Sequence, residues 1–202
     1  YKDERLLNKI NKIFQARIDR AQKMVELLNE NGIKISYSQV KEIAGDDYIG
    51  RPHLAQAMVA SGYIEEMGQA FTDDYIGNEG KAYVSKYKLK PEEAIQLIKE
   101  VGGIPVLAHP VFINHGEPMA KKGIKKLKEE GLAGLEVFHS KHDKEDTRYY
   151  MKTALDLELL ITGGSDFHGE NSPGVKLGDI SLEEEYVEAL KLAYQQQHEN
   201  LR

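Results

Sequence analysis

Apolar residues over the first 30 positions recur at intervals of three and four: Leu6, Leu7, Ile10, Ile13, Phe14, Ile18, Ala21, Met24, Val25 and Leu28. That period predicts one long amphipathic helix over residues 2 to about 30, with Asn31-Gly32 as its C-terminal stop. Arg17 and Arg20 on this helix could hold a phosphate, but a solvated face is the expected role. Ile33 to Ser36 reads as a short extended piece, and Ser38 as the cap of a helix over Gln39 to Ala44. Gly45-Asp46-Asp47 is a turn signal. Pro52 suits the first position of a helix running to about Ala60, and Glu65 to Ile76 reads as another short helix before the turn Gly77-Asn78-Glu79-Gly80. The stretch from about 34 to 80 therefore lacks strong strands and reads as a helical insertion on a larger α/β body, with Ala82 to Lys86 as an extended return.

From Pro91 the pattern changes. Proline at a first helical position, followed by Glu92 and Glu93, opens a helix that Gly102-Gly103 ends. Ile104 to Ala108 is an apolar strand, followed by a lysine-rich helix at about 118–130. A strand over Leu132 to Phe138, a helix at about 143–157, a strand into Gly163-Gly164 and a final helix at about 182–198 complete the chain. Alternation at this spacing predicts a parallel sheet with helices outside, and in such folds ligands sit at the carboxyl ends of the strands.

All three predicted strands end in chemistry. His109 closes the first, Glu136, His139 and His142 lie in or after the second, and Asp166 and His168 follow the third. Counting His115, five of the seven histidines fall at those ends, which chance placement explains poorly. The last strand is expected to break at Gly163-Gly164, and in an extended segment Asp166 and His168, two apart, would point to the same side. A carboxylate beside an imidazole suits Mn²⁺, Fe²⁺ or Zn²⁺. In Gly50-Arg51-Pro52-His53, Arg51 and His53 flank a helix N-terminus that favours an anion, although from this stretch alone a carboxylate partner for Arg51 and a packed His53 are the expected reading.

Composition narrows this further. The chain has 202 residues, 41% hydrophobic and 30% charged, as globular domains do. A net charge of −6 argues against a general polyanion-binding surface but leaves room for a local basic pocket. With no cysteine, any metal must be held by His, Asp and Glu. No apolar run nears the ~20 residues of a membrane span, and the charged amphipathic start is unlike a signal peptide, so a cytoplasmic location is expected. No P-loop or nucleophile elbow is present.

With these residues in hand, the chain resembles the PHP-domain metal-dependent phosphoesterases, in the group of nucleoside 3',5'-bisphosphate phosphatases and 5'-to-3' exoribonucleases. The resemblance is carried by Gly50 to Ala55, Tyr83 to Lys86, Pro91 to Ile95, Gly102 to Pro110, Gly134 to Phe138 with His142, and Thr162 to Gly169. It implies a distorted (β/α)₇ barrel with a helical insertion, divided into a linking helix (1–33), the insertion (34–81) and the C-terminal part of the barrel (82–202). It further implies His109, Asp166 and His168 as ligands of a divalent metal cluster, Mn²⁺ first and otherwise Fe²⁺ or Zn²⁺. Asp166 and His168 would be catalytic, with metal-activated water attacking phosphorus. Arg51 would clamp phosphate while His53, Lys86 and His142 line the substrate pocket, and Glu136 would organise the residues behind the ligands. His139 stands where such relatives often carry another aromatic residue. The implied substrate is a small phosphorylated nucleotide or a short RNA end. The family's opening H-x-H strand and its Asp-His and Glu motifs do not occur here, so the metal cluster is expected to be incomplete. The chain is expected to be inactive alone, and to dimerise or swap domains through an exposed sheet edge. Other readings are a histidinol-phosphatase-like or polymerase-associated exonuclease role, and a non-catalytic module that binds phosphate or a partner.

Overall fold

The computed structural model describes residues 3–45, 49–113, 118–169 and 174–199. The expected turn at Asp46-Asp47 and His115 lie outside them. The chain forms two compact units, Tyr1–Lys88 and Leu89–Arg202.

The first unit is helical. Helix α1 (Glu4–Glu30) starts at Asp3, whose carboxylate accepts the Arg5 backbone N–H, and ends at Asn31. Only its C-terminal half is core: Ala21, Met24, Val25 and Leu28 are buried, whereas Leu7, Ile10, Phe14 and Ile18 are 37–49% exposed. Helix α2 (Tyr37–Ala44) is capped by Ser36, not Ser38; Ser36 Oγ accepts the Gln39 N–H, and the Ser38 hydroxyl pairs with Ser36 instead. Helix α3 (Arg51–Ala60) buries Leu54, Ala55, Ala57 and Met58 against Met24, Leu28, Val40 and Ile76. The buried part of α1 thus shares one core with the segment that follows it.

The helix expected over Glu65 to Ile76 is only a 3-10 turn, Met67–Phe71. Local side chains compete with the backbone there: Gln69 Oε1 accepts the N–H groups of Glu65 and Glu66, and the Thr72 hydroxyl donates to the Gln69 carbonyl.

The second unit alternates helix and strand: α4 (Pro91–Glu100), β1 (Val106–Leu107), α5 (Lys121–Glu129), β2 (Gly134–His139), α6 (Lys144–Asp156), β3 (Leu160–Gly164) and α7 (Glu184–Glu199). Among the described residues the sheet has three parallel strands in the order β1-β2-β3, as helical crossovers require. This is an α/β fold, and the described strands form an open sheet. Tyr150, Ile124, Leu135 and Val137 are fully buried at its centre.

β1 is shorter than its apolar run. Pro105 has no N–H to offer a ladder, and it contributes only a carbonyl, which accepts from Ala133 and Gly134. β3 runs on through Gly163 and Gly164 where a break was expected. A Cβ at Gly163 would lie 2.7 Å from Phe138 Cβ and 2.8 Å from its carbonyl oxygen, so the glycine is there for the close approach of β2. A bulge between Glu136 and Phe138 shifts the register of β2 against β3. No helix among the described residues is long and apolar enough to cross a membrane.

Candidate active site

At the carboxyl ends of β1, β2 and β3 the second unit gathers His109, His139, His142, Asp166 and His168. The backbone at two of these positions is left-handed: His109 has φ 31° and ψ 59°, and Asp166 has φ 56°. Such conformations cost on the order of 1–3 kcal/mol, less for Asp than for His, and persist only where surrounding contacts impose them. For His109 that contact is Glu136, whose Oε2 accepts the His109 backbone N–H at 2.6 Å.

Asp166 and His168 do come together, but not through an extended segment. The left-handed turn at Asp166 brings its carbonyl within 2.7 Å of His168 Nδ1 and its Oδ1 to 3.7 Å from the same nitrogen. The other carboxylate oxygen lies 3.7 Å from His139 Nε2. His139 is the most enclosed of the group, with 3% of the residue exposed, and its ring centroid stands 5.8 Å from His109 and 5.3 Å from His142. Burial holds its imidazole below the ordinary histidine value, against the raising pull of Glu136 and Asp166.

Hydrogen-bond partners fix which nitrogen of each ring carries the proton. His139 Nδ1 accepts the Lys141 N–H, so its Nε2 bears the hydrogen; that buried Nε2 has no hydrogen-bond partner. His142 is the reverse. Its Nδ1 donates to the Val137 carbonyl, leaving a lone pair on a buried Nε2 that also has no partner. His168 Nδ1 donates to the Asp166 carbonyl, so its ring lone pair is on Nε2.

A metal-bound histidine donates its other ring N–H to a carbonyl or carboxylate. His142 and His168 meet that condition and His139 does not. The Asp166 carboxylate adds the oxygen donor that Mn²⁺, Fe²⁺ or Zn²⁺ accepts. Taken singly these donors fit a divalent ion. Taken jointly they fall short: among the described residues no group of three or more His, Asp or Glu side chains could hold a metal ion.

The first unit carries a cleft of about 450 Å³ lined by Arg17, Arg20, Arg51, Lys86 and Lys88, with no carboxylate among its described lining residues. Arg51 Nη1 donates to the Ile76 carbonyl at 3.0 Å and to Asn78 Oδ1 at 3.1 Å, and its guanidinium lies over Phe71 and Tyr83. Among the described residues no carboxylate pairs with Arg51. His53 is tied to its own helix: its Nδ1 accepts the Gly50 N–H at 3.1 Å, which closes the start of α3 and puts the ring proton on Nε2. Burial and the neighbouring Arg20, Arg51, Arg17 and Lys88 hold the Lys86 ammonium below the ordinary lysine value.

Of the expected residues, His109, Glu136, His142, Asp166 and His168 fall in the strand-end group and Arg51 and Lys86 line the cleft, whereas His53 does not line it. Two residues that the sequence reading named but gave little weight stand out. His139 shares the buried face of β2 with Leu135 and Val137 at a period of two, a signal the sequence carried. Arg20 sits four residues before Met24 on the seam of the buried stripe of α1, and is part-buried where a solvated face was expected.

No protein-family model matches the chain. A 5'-3' exoribonuclease of Haemophilus influenzae is 31% identical over 152 residues, 75% of this chain and 55% of that protein. A 3',5'-nucleoside bisphosphate phosphatase of Chromobacterium violaceum is 28% identical over 170 residues, 84% of this chain and 59% of that protein. The fold is shared with a Bifidobacterium adolescentis protein assigned as a metal-dependent phosphoesterase, at a TM-score of 0.67 and 31% identity, covering 91% of this chain and 64% of that one. The chain thus spans a little over half the length of these curated relatives, 55% and 59%. Over that part it is homologous to the nucleoside bisphosphate phosphatase and 5'-3' exoribonuclease group of phosphoesterases that its PHP-type motifs indicated.

Proposed function

We propose that the polypeptide containing this chain is a metal-dependent phosphoesterase that removes a phosphate from nucleoside 3',5'-bisphosphates or RNA ends. The observation that carries this reading is the convergence of His109, His142, Asp166 and His168 at the carboxyl ends of three adjacent parallel strands, where such sheets bind ligands. His109, Asp166 and His168 are proposed as part of the donor set for the divalent ions, Mn²⁺ first; as a group of three they do not hold a metal, so the cluster is incomplete in this chain. Bound there, the ions would place positive charge against the phosphate. Glu136 supports this group by holding the strained His109 backbone.

In the same reading Arg51 clamps a phosphate, because a planar guanidinium fits two phosphate oxygens at once. Lys86 adds charge, and His53 Nε2–H and His142 are proposed to face the substrate. The three strands are proposed to belong to a distorted (β/α)₇ barrel of the PHP type. A second reading, a phosphate-binding module without catalysis, is favoured by one observation: the five cations of the cleft need no metal to attract an anion.

The test is phosphate release from adenosine 3',5'-bisphosphate with Mn²⁺, by this chain and by the longest native polypeptide that contains it. Mn²⁺-dependent release that Asp166→Ala abolishes is the expected result. Release unaffected by EDTA or by Asp166→Ala would refute the proposed metal chemistry. No release by either protein, with phosphate still bound, would leave the binding module as the function.

A further inference from the structure

His139 carries a donor that the protein around it leaves unused. Only 3% of the residue is exposed, and rings hold it on three sides: His109 at 5.8 Å, Phe112 at 6.0 Å and His142 at 5.3 Å between centroids. The Lys141 N–H occupies the Nδ1 lone pair, so the one ring proton is on Nε2. That Nε2 is buried and has no hydrogen-bond partner among the described residues. A buried donor without an acceptor is costly, and such groups are almost always satisfied.

Two acceptors are candidates. Asp166 Oδ2 lies 3.7 Å from His139 Nε2, so a movement of about 0.8 Å closes the gap to an ordinary bond length. His142 offers the lone pair of its own buried Nε2, which also has no partner among the described residues. The carboxylate is the stronger acceptor, because a charged partner roughly doubles the bond. It is also the more adjustable, its side chain being 43% exposed. His142, by contrast, is anchored by Nδ1 on the Val137 carbonyl and packed on Tyr150 at 5.0 Å. Asp166 in turn stands on a left-handed backbone, with its Oδ1 3.7 Å from His168 Nδ1. Its carboxylate is therefore spanned by two imidazoles, one buried and one largely exposed.

We propose that His139 is a positioning residue, whose Nε2–H takes Asp166 Oδ2 and fixes the plane of that carboxylate, with Oδ1 kept on the His168 side. His139 acts through Asp166 and touches no substrate. The consequence for catalysis rests on the phosphoesterase reading of the strand-end group; the bond itself does not.

The bond is tested by proton and nitrogen NMR of the full chain in EDTA, with the His139 signals assigned through its ring carbons. A ring N–H held by a carboxylate exchanges slowly and resonates downfield, and His139 is expected to show one. Asp166→Ala should move it upfield, and Asp166→Asn, which keeps an acceptor oxygen without the charge, should move it part of the way. No protected ring N–H, or one that Asp166→Ala leaves in place, would overturn the proposal. So would a larger upfield move in His142→Phe than in Asp166→Ala, which would give the proton to His142.

The consequence is tested in the longest native polypeptide with Mn²⁺ and adenosine 3',5'-bisphosphate. His139→Phe, which fills the space and donates nothing, should lower kcat about tenfold with KM within about twofold. His139→Gln, whose amide N–H can stand where Nε2–H stands, should recover part of the loss. An unchanged kcat in folded His139→Phe would refute the positioning role. Should His139→Phe fail to fold by circular dichroism, the Asp166 and His142 variants still decide the bond. The two readings fail separately: the bond present without phosphate release refutes the phosphoesterase reading alone, and release with the bond absent refutes the positioning role alone.

Discussion

Glu136 reaches across from β2 to accept the backbone N–H of His109 at 2.6 Å, where β1 gives way to a left-handed turn. A carboxylate on a backbone amide is among the stronger hydrogen bonds, contributing about 1.5–3 kcal/mol. Glu136→Ala should therefore destabilise the chain by about that much in urea denaturation. Glu136→Gln, which keeps an acceptor oxygen, should lose about half. Equal losses would show that the bond to His109 is not what Glu136 contributes.

Adjacent glycines of β3 should respond differently to a methyl group. At Gly163 the new Cβ meets Phe138 backbone and Cβ at 2.7–2.8 Å, which the strands can relieve only by separating. Gly163→Ala is expected to cost about 1–3 kcal/mol. At Gly164 the nearest atom is Glu136 Oε1 at 3.9 Å, an ordinary contact, so Gly164→Ala should stay within about 1 kcal/mol. Thermal melts of the two variants make the comparison.

Ring tautomers are a direct readout of the strand-end geometry. Nitrogen-detected NMR of the neutral rings should place the proton on Nδ1 in His142 and His168, and on Nε2 in His139 and His53. Removing the Lys141 N–H is not practical, but a His139 found with its proton on Nδ1 would show that the Lys141 bond is absent. His139 would then have the tautomer of a metal ligand.

Helices α5 and α6 are tied by Asp156, whose Oδ2 takes Lys121 Nζ at 2.7 Å and Lys152 Nζ at 2.8 Å. Those two bonds hold its carboxyl at about 2, below the ordinary 3.8. A depressed carboxylate stabilises the fold above its unfolded value and loses that contribution as it protonates. Urea midpoints of the unaltered chain should exceed those of Asp156→Asn above pH 4, with the gap closing between about pH 4 and 2. The pair is solvent-facing, so the gap should be small and shrink in salt. A gap unchanged down to pH 2 would show that the tie does not depend on the charge.

The sequence by itself determined the long first helix, the helix–strand alternation after Pro91 and the chemistry at the strand ends. Each rests on information local to a few residues: apolar period, proline at a helix start, a polar group after an apolar run. It could also have singled out His139, since alternation along β2 puts residue 139 on the face of Leu135 and Val137.

Tertiary contact decided the rest. Which half of the α1 stripe is buried depends on what packs on it, and Leu7, Ile10, Phe14 and Ile18 have the same period as the buried Met24 and Leu28. Whether Gly163 ends a strand or admits a neighbour depends on Phe138, 25 residues away in the chain. Arg20 became part-buried because Val84 and Tyr83, more than 60 residues on, close over it. And which ring nitrogen carries the proton in His53, His139, His142 and His168 is set by the one backbone group that the folded chain brings to Nδ1, a pairing that no pattern of residue types encodes.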